Sequence, residues 1–245
     1  TRFLDVIYLS STTRTEVGDI RLEENGRYGL HTMYCQHNRL VGNEFTRNAA
    51  GIAIMFSNHL AVERNAILRN RGPRTHGILL RDCSDGDFTD NRLVDNTVAL
   101  FLDGSNRNRF ERNLIQDNGW GVNLFASCAD NVWTGNDFIH NDYPVALDMR
   151  RTRNRFDDGA RGNYWSEAGT WDLDGDGLGD VPHGPVTAFA FVSKQYPDLA
   201  VLAKSPAVAA LGVAERVFPS LHPSLAVDRF PLTRPAEARA PAGRA

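Results

Sequence analysis

Two of the three methionines, Met33 and Met55, stand 22 residues apart, and His31 lies two residues before the first. Thioether sulfur is a soft donor suited to Cu(I), and imidazole also accepts copper. These three side chains would therefore make a copper site if the chain brought them together on one face. His37 and His59 share the same 22-residue separation and form a second, weaker copper candidate. The acidic run Asp172, Asp174, Asp176, Gly177 begins like an EF-hand calcium loop, with alternating oxygen ligands and a glycine at the sharp turn. Asp180 falls on the ninth position of such a loop, but the twelfth is His183, so the usual bidentate glutamate is missing. The loop is read either as a structural calcium site or as an Asp/Gly-rich turn satisfied by its own hydrogen bonds. No nucleophile–His–acid triad, phosphate-binding glycine loop or closed four-ligand metal site is visible, and the chain is read as a non-enzyme.

Whether those residues meet depends on the elements that carry them, and these repeat. The pattern Asn-x-apolar-x-x-Asn occurs five times: Asn43–Asn48, Asn65–Asn70, Asn91–Asn96, Asn113–Asn118 and Asn136–Asn141, with a degenerate copy ending at Asn25. The closing asparagines are 23, 22, 26, 22 and 23 residues apart. That period fits one coil of three short strands and is too short for helix-pair repeats. After each closing asparagine comes a strand with two inward residues: Leu30/Thr32, Ile52/Ile54, Ile78/Leu80, Leu100/Leu102, Val122/Leu124 and Val145/Leu147. A further strand supplies Leu40, Val62, Phe88, Phe110, Trp133 and Phe156. Six such coils predict an all-β solenoid, a right-handed parallel β-helix, with the asparagines at turns where they tolerate left-handed geometry. The one long spacing places an insertion, 71–74, in a protruding loop.

Alternation along a strand settles the direction of the candidate ligands. With Leu30 and Thr32 inward, His31 and Met33 face outward, and Met55 takes the place of Met33 one coil on. The cysteines obey the same ruler. Cys35, Ser57, Cys83, Ser105 and Cys128 each stand eight residues before the first asparagine of their motif. Successive cysteines are then two coils, or about 9–10 Å, apart, beyond the roughly 7 Å that a disulfide allows. They should be free thiols.

Beyond Phe156 the repeat decays. Residues 163–185 read as an end cap in which Tyr164, Trp165 and Trp171 close the apolar end of the coils, and 186–233 as a helical extension for docking. Ser205 is a good N-cap and Pro206 a good first position for a helix over 206–217 that buries Val208, Leu211 and Val217. Residues 234–245 read as a loose tail. His76, His140, His183 and His222 are scattered and are expected to be solvated. The net charge of −3 and pI near 6.1 give no pull toward nucleic acid. The longest apolar run, 207–214, is eight residues, far below a bilayer span. The chain opens at Thr1 in repeat-like material, so further coils are expected upstream.

The strands Gly29–Tyr34 and Gly51–Ser57, the segment Gly162-Asn163-Tyr164-Trp165 and the loop Asp172–Pro182 together resemble the NosD family, from about Tyr28 to Pro235. These are periplasmic β-helix proteins of the system that matures nitrous oxide reductase. The resemblance implies a periplasmic protein held at the inner membrane by an ABC-type permease with its cytoplasmic ATPase. It also implies transient Cu(I), a copper chaperone as donor and nitrous oxide reductase as receiver. Family members are longer at the N-terminus. From the residues alone two other readings stay open. A carbohydrate-active lyase, hydrolase or epimerase would need a repeated acid constellation, which Asp82, Asp85 and Asp87 do not make. A purely structural docking arm would need no metal. Fold alone does not choose among these.

Overall fold

The computed structural model describes residues 5–149, 151–217 and 225–235. Within them the chain winds through about seven turns of a parallel β-solenoid, one more than the six coils expected, because the strand Asp5–Ser10 opens a further turn ahead of Tyr28–Met33. Three parallel sheets result. Sheet A stacks Asp5–Ser10, Tyr28–Met33, Ala50–Met55, His76–Arg81, Val98–Asp103, Trp120–Leu124 and Tyr143–Leu147. Sheet B runs from Glu16–Gly18 to Val132–Thr134, and sheet C from Arg21–Glu23 to Tyr164–Trp165.

The corners explain the asparagines, and correct the turn geometry expected of them. The left-handed residue is the one before each asparagine: Arg47, Arg64, Arg69, Asp90, Asp95, Arg112, Asp117 and His140 have φ of 48–61°. The asparagine itself points inward and is buried. Its carbonyl oxygen accepts both the backbone N–H and a side-chain N–H of the asparagine one coil earlier. Asn91 Oδ1, for example, accepts from Asn65 N at 2.9 Å and Asn65 Nδ2 at 3.0 Å. The second amide hydrogen of Asn65 reaches the Leu40 carbonyl at 2.8 Å. Buried amides are thus fully engaged, in two long columns, 43–65–91–113–136–163 and 25–48–70–96–118–141, and a shorter one, 108–131–154.

Between the corners the expected inward residues form the core, all of them buried. Phe88, Phe110, Trp133 and Phe156 stack face to face at centroid spacings of 4.8–4.9 Å, the spacing of the strands that carry them. The cysteines are buried and free, as their spacing requires, and alternate with serines in one corner column: Cys35 N donates to Ser57 Oγ and Cys83 N to Ser105 Oγ. The insertion 71–74 lies at the surface in a turn.

At the far end the chain leaves the coils. Helix α1 (Ala188–Gln195) is N-capped by Thr187, a 3-10 turn spans Pro197–Leu202, and helix α2 is Pro206–Val217 with Ser205 Oγ accepting from Val208 N. Phe189 and Ala190 of α1 pack on Tyr143, joined by Val208 of α2. Leu211, expected inside, is 37% exposed and is not part of that small cluster. Trp165 is buried in the core, whereas Trp171 is 68% exposed and closes nothing. The side chain of Val217, His222 and all but the first two residues of the expected tail lie outside the described residues.

The ladder predicts a large difference between neighbouring side chains. Asn113→Ala removes the acceptor of Asn91 N and Nδ2 and the donor to the Phe88 carbonyl, all buried. It should cost about 3 kcal/mol in urea unfolding. Arg112→Ala, one residue away in an exposed ion pair with Asp90, should cost about 1 kcal/mol or less.

Candidate metal centre

The three sheets differ on their outer faces. Sheets B and C carry alternating ion pairs, such as Glu16–Arg39–Glu63 and Arg21–Glu44. Sheet A instead presents two largely uncharged outward columns in its first four turns. One runs Ser10–Met33–Met55–Arg81, the other Tyr8–His31–Ala53–Leu79. Met33 and Met55 are direct register partners on adjacent strands, as alternation predicts, and both are half-buried. His31 is beside them on the same face. It is not exposed, however: only 5% of its surface is accessible, because the rings of Tyr8 and Tyr28 pack on it at 4.9 and 5.0 Å. The Tyr8 hydroxyl donates to Met33 Sδ at 3.5 Å. Arg81, above Met55, is paired with Asp103 at 3.5 Å.

Helix α1 covers the opposite end of this face. Lys194 Nζ donates to Asn123 Oδ1 and lies 3.7 Å above the Phe125 ring, and burial pushes its pKa down to about 8. Between the two ends His76 packs edge-on against Phe101 at 4.7 Å. Burial, with Arg81 adding, pushes its pKa down to about 4, so it is a packed neutral imidazole and not the solvated one expected. His37 and His59 do stack, nearly parallel at 4.7 Å, at an exposed corner next to sheet A. His140 is exposed, 3.8 Å from Asp117.

The acidic loop forms a cluster of its own. Ligand oxygens of Asp172, Asp174 and Asp176 lie within 4.8 Å of one another and could hold a metal ion. Asp180 is not in that group: its carboxylate accepts from Leu173 N at 2.7 Å. His183 is outside that group too: its backbone pairs with that of Asp228 and its ring leans on Trp165 at 5.2 Å. This pairing belongs to a clasp, residues 225–233, that returns to the end of the coils. Asp228 Oδ2 accepts from Asn163 N at 2.7 Å and Trp165 Nε1 at 2.8 Å, so it supplies the acceptor that a next ladder asparagine would have supplied. Arg229 pairs with buried Asp157, and Gly177 and Gly179 of the acidic loop bond to Thr233 and Pro231. A cavity of about 700 Å³, lined by Tyr143, Phe189, Val208 and Glu215 among others, lies under the two helices and away from the methionines.

Residues 4–169, well over half the chain, match the family model described as "Periplasmic copper-binding protein (NosD)". The chain belongs to the NosD family. The family is periplasmic, and no helix among the described residues is long and apolar enough to cross a membrane. The chain is similar to the "Probable ABC transporter binding protein NosD" of Pseudomonas aeruginosa, at 38% identity over 136 residues, 56% of this chain and 32% of that protein. It is similar to the protein of the same name from Stutzerimonas stutzeri, at 30% identity over 197 residues, 74% of this chain and 44% of that protein. It thus spans less than half the length of the curated relatives it matches. Those relatives are named as transporter binding proteins and not as enzymes.

Sequence reasoning missed Tyr8 and Asp228 in this NosD-family chain. Tyr8 was recoverable, since Ile7 and Leu9 turned inward put it opposite His31 with the 23-residue offset of the repeat. Asp228 had no local signal, because its partner Asn163 is 65 residues away. Burial raises the Asp228 pKa to about 6 in spite of its N–H donors. A carboxyl whose folded pKa is raised stabilises below its unfolded value near 4 and loses that contribution as pH rises through 6. Unfolding measured from pH 4 to 7 should therefore show the native protein losing up to about 3 kcal/mol relative to Asp228→Asn. Parallel pH profiles for the two proteins would refute this.

Proposed function

We propose that this chain receives Cu(I) on the outer face of sheet A and hands it on for nitrous oxide reductase maturation. Met33, Met55 and His31 would be the ligands. The observation that carries the reading is the direct register of the two methionines beside His31, in the first three turns of a largely uncharged sheet face whose Arg81–Asp103 pair begins only one turn beyond Met55. Neutral thioethers favour Cu(I) and bind hard cations poorly. A half-buried site with few protein ligands leaves positions for a partner's donor, which suits transfer better than storage. The family's description as copper-binding and the relatives' naming as transporter binding proteins support the same reading. In it, a copper chaperone loads the chain, and an ABC-type permease with its ATPase holds it at the membrane. The helical extension would be the docking element, since Tyr196, Val201, Leu202 and Val213 are exposed there. His37 and His59 are the alternative copper ligands.

Replacing both methionines by leucine conserves volume and should cost less than about 1.5 kcal/mol in stability. In a Cu(I) competition titration the double variant should bind about tenfold more weakly or worse, a loss of about 1.4 kcal/mol, and should fail to support reductase maturation in cells. Unchanged binding would move the ligands elsewhere, to be sought with His37→Ala and His59→Ala.

For the acidic loop we propose a structural Ca2+ on Asp172, Asp174 and Asp176, with Asp180 bracing the loop. Chelator should then lower the melting temperature, and Asp174→Ala should remove that sensitivity. A melting curve indifferent to chelator would make the loop a self-bonded turn.

A further inference from the structure

Tyr8 stands out among the residues around the methionines because it is half exposed and yet touches two of the proposed ligands. It occupies the outward column one turn before His31, its direct register partner, and remains 53% exposed. Its ring packs on the His31 imidazole with centroids 4.9 Å apart, and its hydroxyl donates to Met33 Sδ. Tyr28, three residues earlier at the start of the His31 strand, covers another side of the same imidazole. The inward neighbours Ile7 and Leu9 pack against the core and hold the Tyr8 backbone in register, so its side chain is the part able to move.

We propose that Tyr8 is the gate of this site: it closes over Met33 and His31 in the metal-free chain and is displaced when a soft monovalent ion loads. This rests on the reading of Met33, Met55 and His31 as ligands. The O–H···S bond draws on sulfur lone-pair density that a metal would use, and the ring covers the imidazole that would be the nitrogen donor. A cation with high affinity for thioether can compete with one weak hydrogen bond, whereas a hard cation gains too little from sulfur to open the lid. When the ion leaves for a partner, the phenol returns to the sulfur and the imidazole is covered again. Tyr8 is thus a positioning residue for loading and release, and a filter on which ions enter.

The methionines make the test direct. The chain has three, so ε-methyl 13C labelling gives three signals, with Met149 as the internal control. The full chain is titrated with Ag(I), an air-stable soft monovalent probe, alongside Tyr8→Phe, which keeps the ring and deletes the hydroxyl. The gate predicts that Tyr8→Phe moves the Met33 methyl signal before any metal is added. It also predicts Ag(I) binding about two- to tenfold tighter than in the parent, the scale of one lost competing hydrogen bond. Equal or weaker Ag(I) binding in Tyr8→Phe, with the Met33 and Met55 signals responding in both proteins, overturns the gate and leaves the ligand set intact. If neither signal responds to Ag(I) in the parent chain, the ligand set itself falls and the gate with it.

Discussion

The corner asparagine and the left-handed residue before it form the constraint on which the rest of the structure depends. A solenoid coil must turn three times in about 22–23 residues, and each turn buries backbone groups that sheets leave unpaired. A non-glycine residue in left-handed geometry costs roughly 1–2 kcal/mol, and positions such as Arg64, Asp90 and Arg112 carry that cost in turn after turn. Inward amides offset it. A ladder asparagine such as Asn91 offers one oxygen to two donors of the previous coil and one hydrogen to a strand carbonyl further back. Since the donors of one coil need the acceptor of the next, the columns lock the coils in a single register.

Register is what makes the outer face of sheet A a candidate for chemistry. A slip of one residue would turn His31 and Met33 inward and Leu30 and Thr32 outward. With the register fixed, three successive coils contribute Tyr8, then His31 and Met33, then Met55 to one patch, although the residues are spread over 48 positions of sequence. The faces of sheets B and C, with their Arg–carboxylate pairs, are solvated on the same scaffold. Difference between faces therefore comes from side-chain choice at equivalent positions and not from backbone geometry.

A ladder that passes hydrogen bonds in one direction needs a last acceptor. Asp228 provides it from a segment remote in sequence, and the same clasp ties down the acidic loop through Gly177 and Gly179. The helices α1 and α2, between residues 188 and 217, thus lie in a stretch of chain that leaves and returns at the His183–Asp228 pair. Its ends are fixed to the end of the coils, while α1 is pinned on sheet A through Lys194, Asn123 and Phe125.

Local sequence determined the coil period, the inward residues, the free cysteines, the α2 boundaries and the outward pairing of Met33 with Met55, because each follows from a fixed step along one repeat. It also placed His37 and His59 in contact by the same step. Tertiary structure decided what depends on neighbours outside that step. His31 alternates outward as read, yet Tyr8 and Tyr28 cover it, and outwardness on a sheet is not exposure when large rings flank the position. The left-handed geometry fell on the residue before each asparagine, since the amide had to face inward to reach the next coil. Trp165 went into the core and Trp171 into solvent, because only the former is held against Phe138 and Asp228. Asp180 and His183 were drawn from the acidic loop into backbone pairing by contacts across it, and no spacing rule carries the position of Asp228, which only the closed end of the solenoid defines.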